Sequence, residues 1–526
     1  MTATPKHLRC EPAPPGTECV RLTRLESSIY AAVLALLVGF SVPWFIWNPM
    51  NGDTAFFVYS GSRMLDGATL YRDIVEPNAP PPYLFAVAST ALGRLLHLTP
   101  ETAFVLCVTV LICLSIYRCH RILDRFYPTI PYAAPILTIA IACCLLPYVK
   151  DSFGEREHLL CVLILPWLLA STDDLEFRSK RERIADGMMA SVGISMKPYF
   201  IALYAVVQLV NFVMPRRRFR ILQGDSLTIA ITQAASALVT LVFFSNYVFM
   251  VRMALATYHS FRRDLPSICL HPTFLFFVIM AIICLGNQSR GYFLRLRNGL
   301  LMAGVVMMGL LVYQREGFAY HYYPLGVFGW LIATTLMLDR LWTASPLKRR
   351  VVALLFVTTV TGVGAYYGML PLSMPKQTGP LVALVRQEAE GKPILVLSTS
   401  LWASSPLINY THTSSSWRFR SLWTLGGFYS GKPLPGAPRP YRSRADMDEY
   451  ERYLLESLIE DTRLHPPQLI IVEVAAEKQG FRSGDFDYLD YFLHDDQFAQ
   501  FFSGYEAFAE VPNYRVYRRR LRARNM

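Results

Sequence analysis

Apolar runs of membrane-spanning length recur along this chain and limit its folds more than any other feature. They lie near 29–47, 83–97, 101–118, 128–148, 157–171, 187–196, 198–213, 226–249, 270–286, 298–313, 323–340 and 351–368. Hydrocarbon offers no water to backbone amides, so such runs must be helices, each needing about 20 residues to span. Charged residues make up 17% of the 526, against roughly 25% in soluble domains, and the mean hydropathy is +0.30. The expected fold is mostly α: a polytopic membrane protein with a C-terminal α/β domain.

The formal charge of +12 would suggest nucleic acid in a soluble protein. Here the cations cluster in short connections, which argues for bilayer orientation and against a nucleic-acid partner. The clusters are Arg21 and Arg24; Arg118, His120, Arg121 and Arg125; 178–183 (RSKRER); 216–220 (RRRFR); Arg290, Arg295 and Arg297; and 348–350. All of them can be cytoplasmic if one run does not cross. The run 83–97 is short, contains Arg94 and follows Pro80-Pro81-Pro82, so it is expected to be half-buried or re-entrant. That leaves about eleven spans, a cytoplasmic N-terminal segment (1–28), a transmembrane domain (29–370) and an extracytoplasmic domain (371–526). The first run is too long for a signal-peptide core and lacks a small-residue cleavage site, so it is expected to be retained. The ten cysteines all lie in the first 284 residues without metal-ligand spacing, so the tail has no disulfide framework. In the tail, 392–400 and 467–474 read as buried strands, 444–462 as a helix, and the segment from Pro512 as an edge strand followed by a basic end.

The outer face then collects 48–82, Lys150 to His158, the turn at Lys197-Pro198, Arg252 to Arg263 and Gln314 to Tyr323. Cations there run against the orientation bias, and a bound phosphate is a ready reason. The loop Asn51 to Pro82 is too polar for lipid and too long for a plain connector. It carries Asp53, Asp66, Asp73 and Glu76 with Arg63 and Arg72, and it has the composition of a structured site at the membrane surface.

This loop resembles that of the GT-C class of membrane glycosyltransferases, including the protein mannosyltransferase and aminoarabinose transferase superfamily. The resemblance rests on Gly52-Asp53, Gly61-Ser62-Arg63, Leu65-Asp66-Gly67, Leu70-Tyr71-Arg72-Asp73, Asn78 and Pro80-Pro81. It implies a polyprenyl-phosphate sugar donor, a glycan, lipid or protein acceptor, and inverting hexosyl or pentosyl transfer at a bacterial inner membrane. Thr54 stands where many relatives carry a second acid, which removes support for a divalent metal at this point. No cofactor is certain from the sequence; a divalent metal is left open without support.

Transfer from a lipid phosphate needs a base for the acceptor hydroxyl and cations for the departing phosphate. Asp53 is the candidate base; its bland alternative is an N-cap for the helix that follows. Glu155 and Glu157 are the further catalytic candidates. Arg63, Arg72, Arg156, His158, Lys197, Gln314, Arg315, His321 and Tyr322 are candidate substrate or phosphate contacts. Lys197 can equally snorkel, and the outer tyrosines can equally be anchors. Tyr258, His259 and Arg262 are weaker candidates. Asp66 and Asp73 read as structural, and Trp417, Arg418 and Trp423 as either a sugar platform or tail core. A flippase of lipid-linked saccharides, an envelope polysaccharide polymerase and a scaffold are the alternatives. A transporter calls for mid-span charges and paired halves, and neither is evident.

Overall fold

In the computed structural model, the structure describes residues 23–130, 132–172, 178–214, 220–287, 292–342, isolated positions between 345 and 362, 378–429, 441–481 and 486–520. The helices start where the sequence places capping side chains. Thr23 and Glu26 form a capping box for α1 (Arg24–Trp47), and Ser179 and Glu182 form another for α7 (Lys180–Ser195). Thr99 caps α4 (Pro100–Phe126), with Pro100 in its first turn. Between these lie α2 (Gly52–Leu65), α3 (Pro80–Leu95), α5 (Ala133–Leu145) and α6 (Arg156–Ser171). Then come α8 (Ile201–Val213), α9 (Gly224–Phe243), α10 (Tyr247–Thr257), α11 (Leu265–Cys269), α12 (Pro272–Gly286), α13 (Leu294–Gln314) and α14 (Ala319–Trp342). α1, α4, α9 and α13 are each long and apolar enough to cross a bilayer; α5, α12 and 198–213 are apolar but shorter.

The helix ends sort into two sets. At one end Tyr132 reaches Glu26 (2.7 Å), Arg125 reaches Glu182 (2.9 Å), Arg118 grips Asp186 (3.0 Å), and Arg178 bridges Asp186 and Asp225. This is the basic end. At the other end Asn51 donates to the Asp151 carbonyl (2.9 Å), and Lys197 meets Glu157 and His321. α3 stays at this second end. Arg94 near its last turn pairs with Asp66 (2.8 Å), and Glu101 at the start of α4 accepts from Asn409 of the tail (3.0 Å). α3 therefore runs alongside α2 in the same direction, Phe57 meeting Tyr83 and Asp66 meeting Arg94, instead of traversing the bundle. The two pack closely because Gly61 lacks a Cβ, which would come within 2.7 Å of the Ala86 backbone. The run 351–368, the cluster at 216–219 and the boundary near 371 fall largely outside the described residues.

The tail is a five-stranded sheet with helices on both faces: α15 (Thr378–Ala389), α16 (Ser405–Thr411), α17 (Leu425–Tyr429), α18 (Glu449–Leu464), α19 (Tyr488–Leu493) and α20 (Asp496–Phe502). Its strands are β1 (Pro393–Leu397), β2 (Ser414–Ser415), β3 (Leu469–Glu473), β4 (Tyr505–Val511) and β5 (Tyr514–Arg519), in the order β2-β1-β3-β5-β4. β1 and β3 are parallel and covered on both sides, which explains the apolar runs Ile394 to Leu397 and Leu469 to Val472. Ile394, Val396, Leu469 and Ile471 face Leu381 and Val385 of α15; Leu395, Leu397, Ile470 and Val472 join the other core with Leu454 and Leu458 of α18. The expected edge position of the last strand is corrected here. β5 lies inside the sheet between β3 and β4, with Tyr514 and Val516 buried, and β4 is the edge. Alternation suits either place, because only the hydrogen-bonding partners separate an edge strand from an inner one.

The tail sits on the second end of the bundle. Met50 donates to the Tyr410 hydroxyl (2.9 Å), Asn409 to the Ala55 carbonyl (3.1 Å), and Val75 to the Arg418 carbonyl (2.8 Å). α2 is consequently enclosed between bundle and tail.

Candidate active site

The 51–82 loop is built to present three polar side chains inward. Asn51 caps α2, its Oδ1 accepting from the Asp53 amide (2.8 Å), so the expected alternative role of Asp53 as cap falls to its neighbour. After α2, Gly67 takes φ +98° to turn the chain. Asp73 then closes the turn, accepting from the Thr69 amide (2.8 Å), while Arg63 donates to the Asp73 carbonyl (3.1 Å). The buried Tyr71 donates to the Asn78 carbonyl (2.6 Å). The conspicuous motif from Leu65 to Asp73 thus holds Glu76 and Asn78 in place.

Asp53 lies between two guanidiniums. Arg156 donates to its Oδ2 (2.9 Å), and Arg420, from the tail, donates to its Oδ1. Arg156 also donates to Asn78, and Asn78 donates to Glu76 (2.5 Å). Arg420 lies 2.6 Å from Glu76. All of these are buried: the side chains of Asp53, Arg156, Arg420 and Glu76 are each 7% exposed or less. Behind them Lys197 donates to Glu157 (2.5 Å), with His321 3.3 Å from the ammonium. The Tyr320 ring lies 5.6 Å from Arg156 and 5.2 Å from Lys197, a cation–π arrangement that partly replaces their lost hydration.

Burial alone would raise the Asp53 carboxyl, but Arg420 and Arg156 outweigh it and hold Asp53 below the usual carboxylate range. Glu76 goes the other way: burial pushes it up to about 7 in spite of Arg420. Burial, with the Asp53 charge behind it, also holds Glu155 well above the usual range.

A cavity of about 730 Å³ opens here, walled by bundle and tail. Of the residues singled out from the sequence, Asp53, Arg156, Lys197 and Gln314 line it, together with Tyr258, His259, Arg262 and Trp423. Glu157 and His321 stand behind Lys197. Glu155 is fully buried beside Arg156 (3.7 Å). The others sit elsewhere. Arg72 is exposed and pairs with Asp73 (2.8 Å), and Arg63 braces the loop. His158 uses both ring nitrogens structurally, accepting from the Gly154 amide (3.0 Å) and facing the Leu145 carbonyl (3.0 Å). Arg315 is in the left-handed region, its carbonyl accepting from the Arg263 amide (2.7 Å). Tyr322 stacks on His271 (3.7 Å). Trp417 is core, and Arg418 pairs with Asp461 (2.5 Å). Among the described residues no three His, Cys, Asp or Glu side chains gather as a metal site would require.

Sequence reasoning passed over Arg420, Glu76 and Asn78. Glu76 and Asn78 lay in the loop already singled out, and an acid beside a proline run was a usable signal. Arg420 had none: it lies 367 residues from Asp53, in a segment with several other arginines.

No known family and no curated protein matches the sequence. Solved structures do. ArnT, an aminoarabinose transferase from Cupriavidus metallidurans solved with undecaprenyl phosphate, is similar at TM-score 0.57 and 14% identity, over 93% of this chain and 97% of that one. Its apo form gives TM-score 0.54 at the same identity and coverage. An oligosaccharyltransferase from Archaeoglobus fulgidus, solved with zinc and sulfate, gives TM-score 0.44 at 12% identity, over 90% of this chain and 71% of that one. The likeness to ArnT takes in the helical bundle and nearly all of the chain beyond it, and this chain has the fold of the GT-C glycosyltransferases.

Proposed function

We propose that this protein transfers a sugar, hexosyl or pentosyl, from a polyprenyl-phosphate-linked donor to a hydroxyl of an envelope acceptor. The observation that carries the proposal is the buried group of Asp53, Arg156, Arg420 and Lys197 on the wall of one large cavity, in a fold shared with a protein that binds undecaprenyl phosphate. The cavity end of the bundle is then extracytoplasmic, as is the tail, and the basic end is cytoplasmic.

Asp53 takes the proton of the acceptor hydroxyl. The hydroxyl oxygen bonds to the anomeric carbon as the bond from that carbon to the phosphate oxygen breaks. Direct displacement with one base inverts the anomeric centre. The polyprenyl phosphate leaves with its charge held by Arg156 and Lys197. Protonation of Glu155 aids this, because it removes one carboxylate charge from beside Arg156 and leaves more of that guanidinium's charge for the phosphate. Asp53 between two guanidiniums is a weak base. A donor phosphate competing for Arg156 frees one carboxylate oxygen, so donor binding precedes acceptor deprotonation.

The test is mass spectrometry of envelope glycans from cells carrying the wild type or Asp53→Asn, with undecaprenyl phosphate binding measured on both purified proteins. The expected result is loss of one glycosyl modification with binding of the lipid phosphate intact. Identical glycans in the two strains overturn the assignment of Asp53.

A further inference from the structure

The cavity has two unlike walls. The bundle side carries Asp53, Arg156 and Lys197. The tail side presents Thr399, Trp402, Ser421, Trp423 and Gln479, and among the described lining residues of the tail only Arg420 is charged.

The two indoles are not equivalent. Trp423 is 2% exposed and packs against Tyr258 at 5.3 Å between ring centroids. It is wall. Trp402 is half-buried, on the short turn Leu401–Ala403, and borders the cavity. The position of that turn is set by Gly52. A Cβ added there would lie 2.8 Å from the Leu401 Cβ, so the turn rests directly on the start of α2. Trp402 follows Leu401, and Asp53 follows Gly52. The free indole and the buried carboxylate are therefore clamped on either side of one contact.

Polar groups without partners lie on the same wall. Ser421 Oγ and Trp423 Nε1 are buried and have no hydrogen-bond partner. Ser421 also adjoins Arg420, which holds Asp53. A phosphate is recognised by cations, which this wall lacks apart from the engaged Arg420. A saccharide ring is recognised by an aromatic face under its C–H groups and by neutral donors and acceptors at its hydroxyls.

We propose that Trp402 is the platform of an acceptor subsite for a neutral saccharide, seated so that one sugar hydroxyl reaches Asp53. This rests on the glycosyl transfer proposed above and names its acceptor class.

Saturation-transfer difference NMR on the full-length protein in detergent tests it, with maltotriose, a mannotriose and an arabinotriose as probes. Undecaprenyl phosphate binding is measured on the same samples. At least one probe is expected to bind the wild type. Trp402→Ala should weaken that binding about fivefold or more, the range of an aromatic contact, and Trp402→Phe should recover much of it. Both variants should bind undecaprenyl phosphate as the wild type does, which also reports that they fold. The proposal is overturned if no probe binds a wild type that binds the lipid phosphate, as a peptide or lipid acceptor would give, or if Trp402→Ala binds the probes unchanged. Saccharide binding without lipid-phosphate binding would instead sink the donor assignment and leave the subsite standing.

Discussion

Among the described residues, Arg420 is the tail side chain that enters the charged centre, and replacing it by Ala removes it. In the native protein its guanidinium bonds Asp53, lies 2.6 Å from Glu76 and stands 5.8 Å from the Phe56 ring, with the side chain 7% exposed. Removing one partner of such a buried pair costs about 3–5 kcal/mol, because the remaining charges stay desolvated. Asp53 keeps Arg156, so most of the loss falls on Glu76, which has an escape by protonation. Glu76 is raised from 4.5 to about 7, so its contribution to stability is present in full below 4.5 and is lost as pH rises through 7. Taking away Arg420, which pulls Glu76 down, extends that decline to still higher pH and so deepens it. The loss of stability should therefore be about 3 kcal/mol near pH 8 and roughly half of that near pH 5.5. Thermal unfolding can be followed by a thiol-reactive dye reporting on Cys143, Cys144 and Cys161, all buried in the bundle. Glu76→Gln in the Arg420→Ala background should recover at least about 1 kcal/mol, as expected for residues in contact. A melting temperature unchanged by Arg420→Ala, or strict additivity of the two substitutions, would refute the reasoning. Arg420→Lys should behave closer to Ala than to Arg, since an ammonium cannot serve two carboxylates as a planar fork does.

Asp53→Asn keeps the cap of α2, which is Asn51, but takes the shared carboxylate from Arg156 and Arg420 and so lowers stability; measured per folded molecule, it should lower transfer by about 100-fold to 10,000-fold. Lys197→Ala should weaken undecaprenyl phosphate binding by roughly 2–3 kcal/mol by isothermal titration, whereas Arg72→Ala, altering an exposed pair, should leave it as it was. Gly61→Leu should prevent the close approach of α2 and α3 and reduce the yield of folded protein in size-exclusion chromatography. A cysteine placed at Ser179 should resist a membrane-impermeant thiol reagent applied from outside, and strong labelling there would reverse the proposed orientation.

The sequence by itself determined the helical bundle, because burying apolar runs of this length leaves the backbone no alternative to helices. It also marked the loop that carries Asp53 and the tail strands β1 and β3, whose residues are apolar apart from Glu473. It pointed to Arg156 and Lys197 by their charge on the face where cations are disfavoured. What it could not decide was partnership. Whether Asp53 or Asn51 caps α2 depends on a two-residue difference in helix start, and both residue types cap well. Whether β5 is an edge depends on β4, a strand of mixed pattern with Glu506 and Glu510 in its length. His158, Arg63 and Arg72 carry the same chemistry as the cavity residues, and only their bonds to Gly154, Asp73 and the turn of 69–74 remove them from it. Arg420 is the clearest case. Nothing local distinguishes it from Arg418 two residues earlier, yet one guanidinium pairs with Asp461 and the other with Asp53. Residues two apart share a face of a regular strand, so the two arginines part because the chain bends at 416–418 and again at 420–421, on either side of the bridge between Val75 and Phe419. That choice is made by the docking of tail on bundle, a contact between residues hundreds of positions apart that only the tertiary fold brings about.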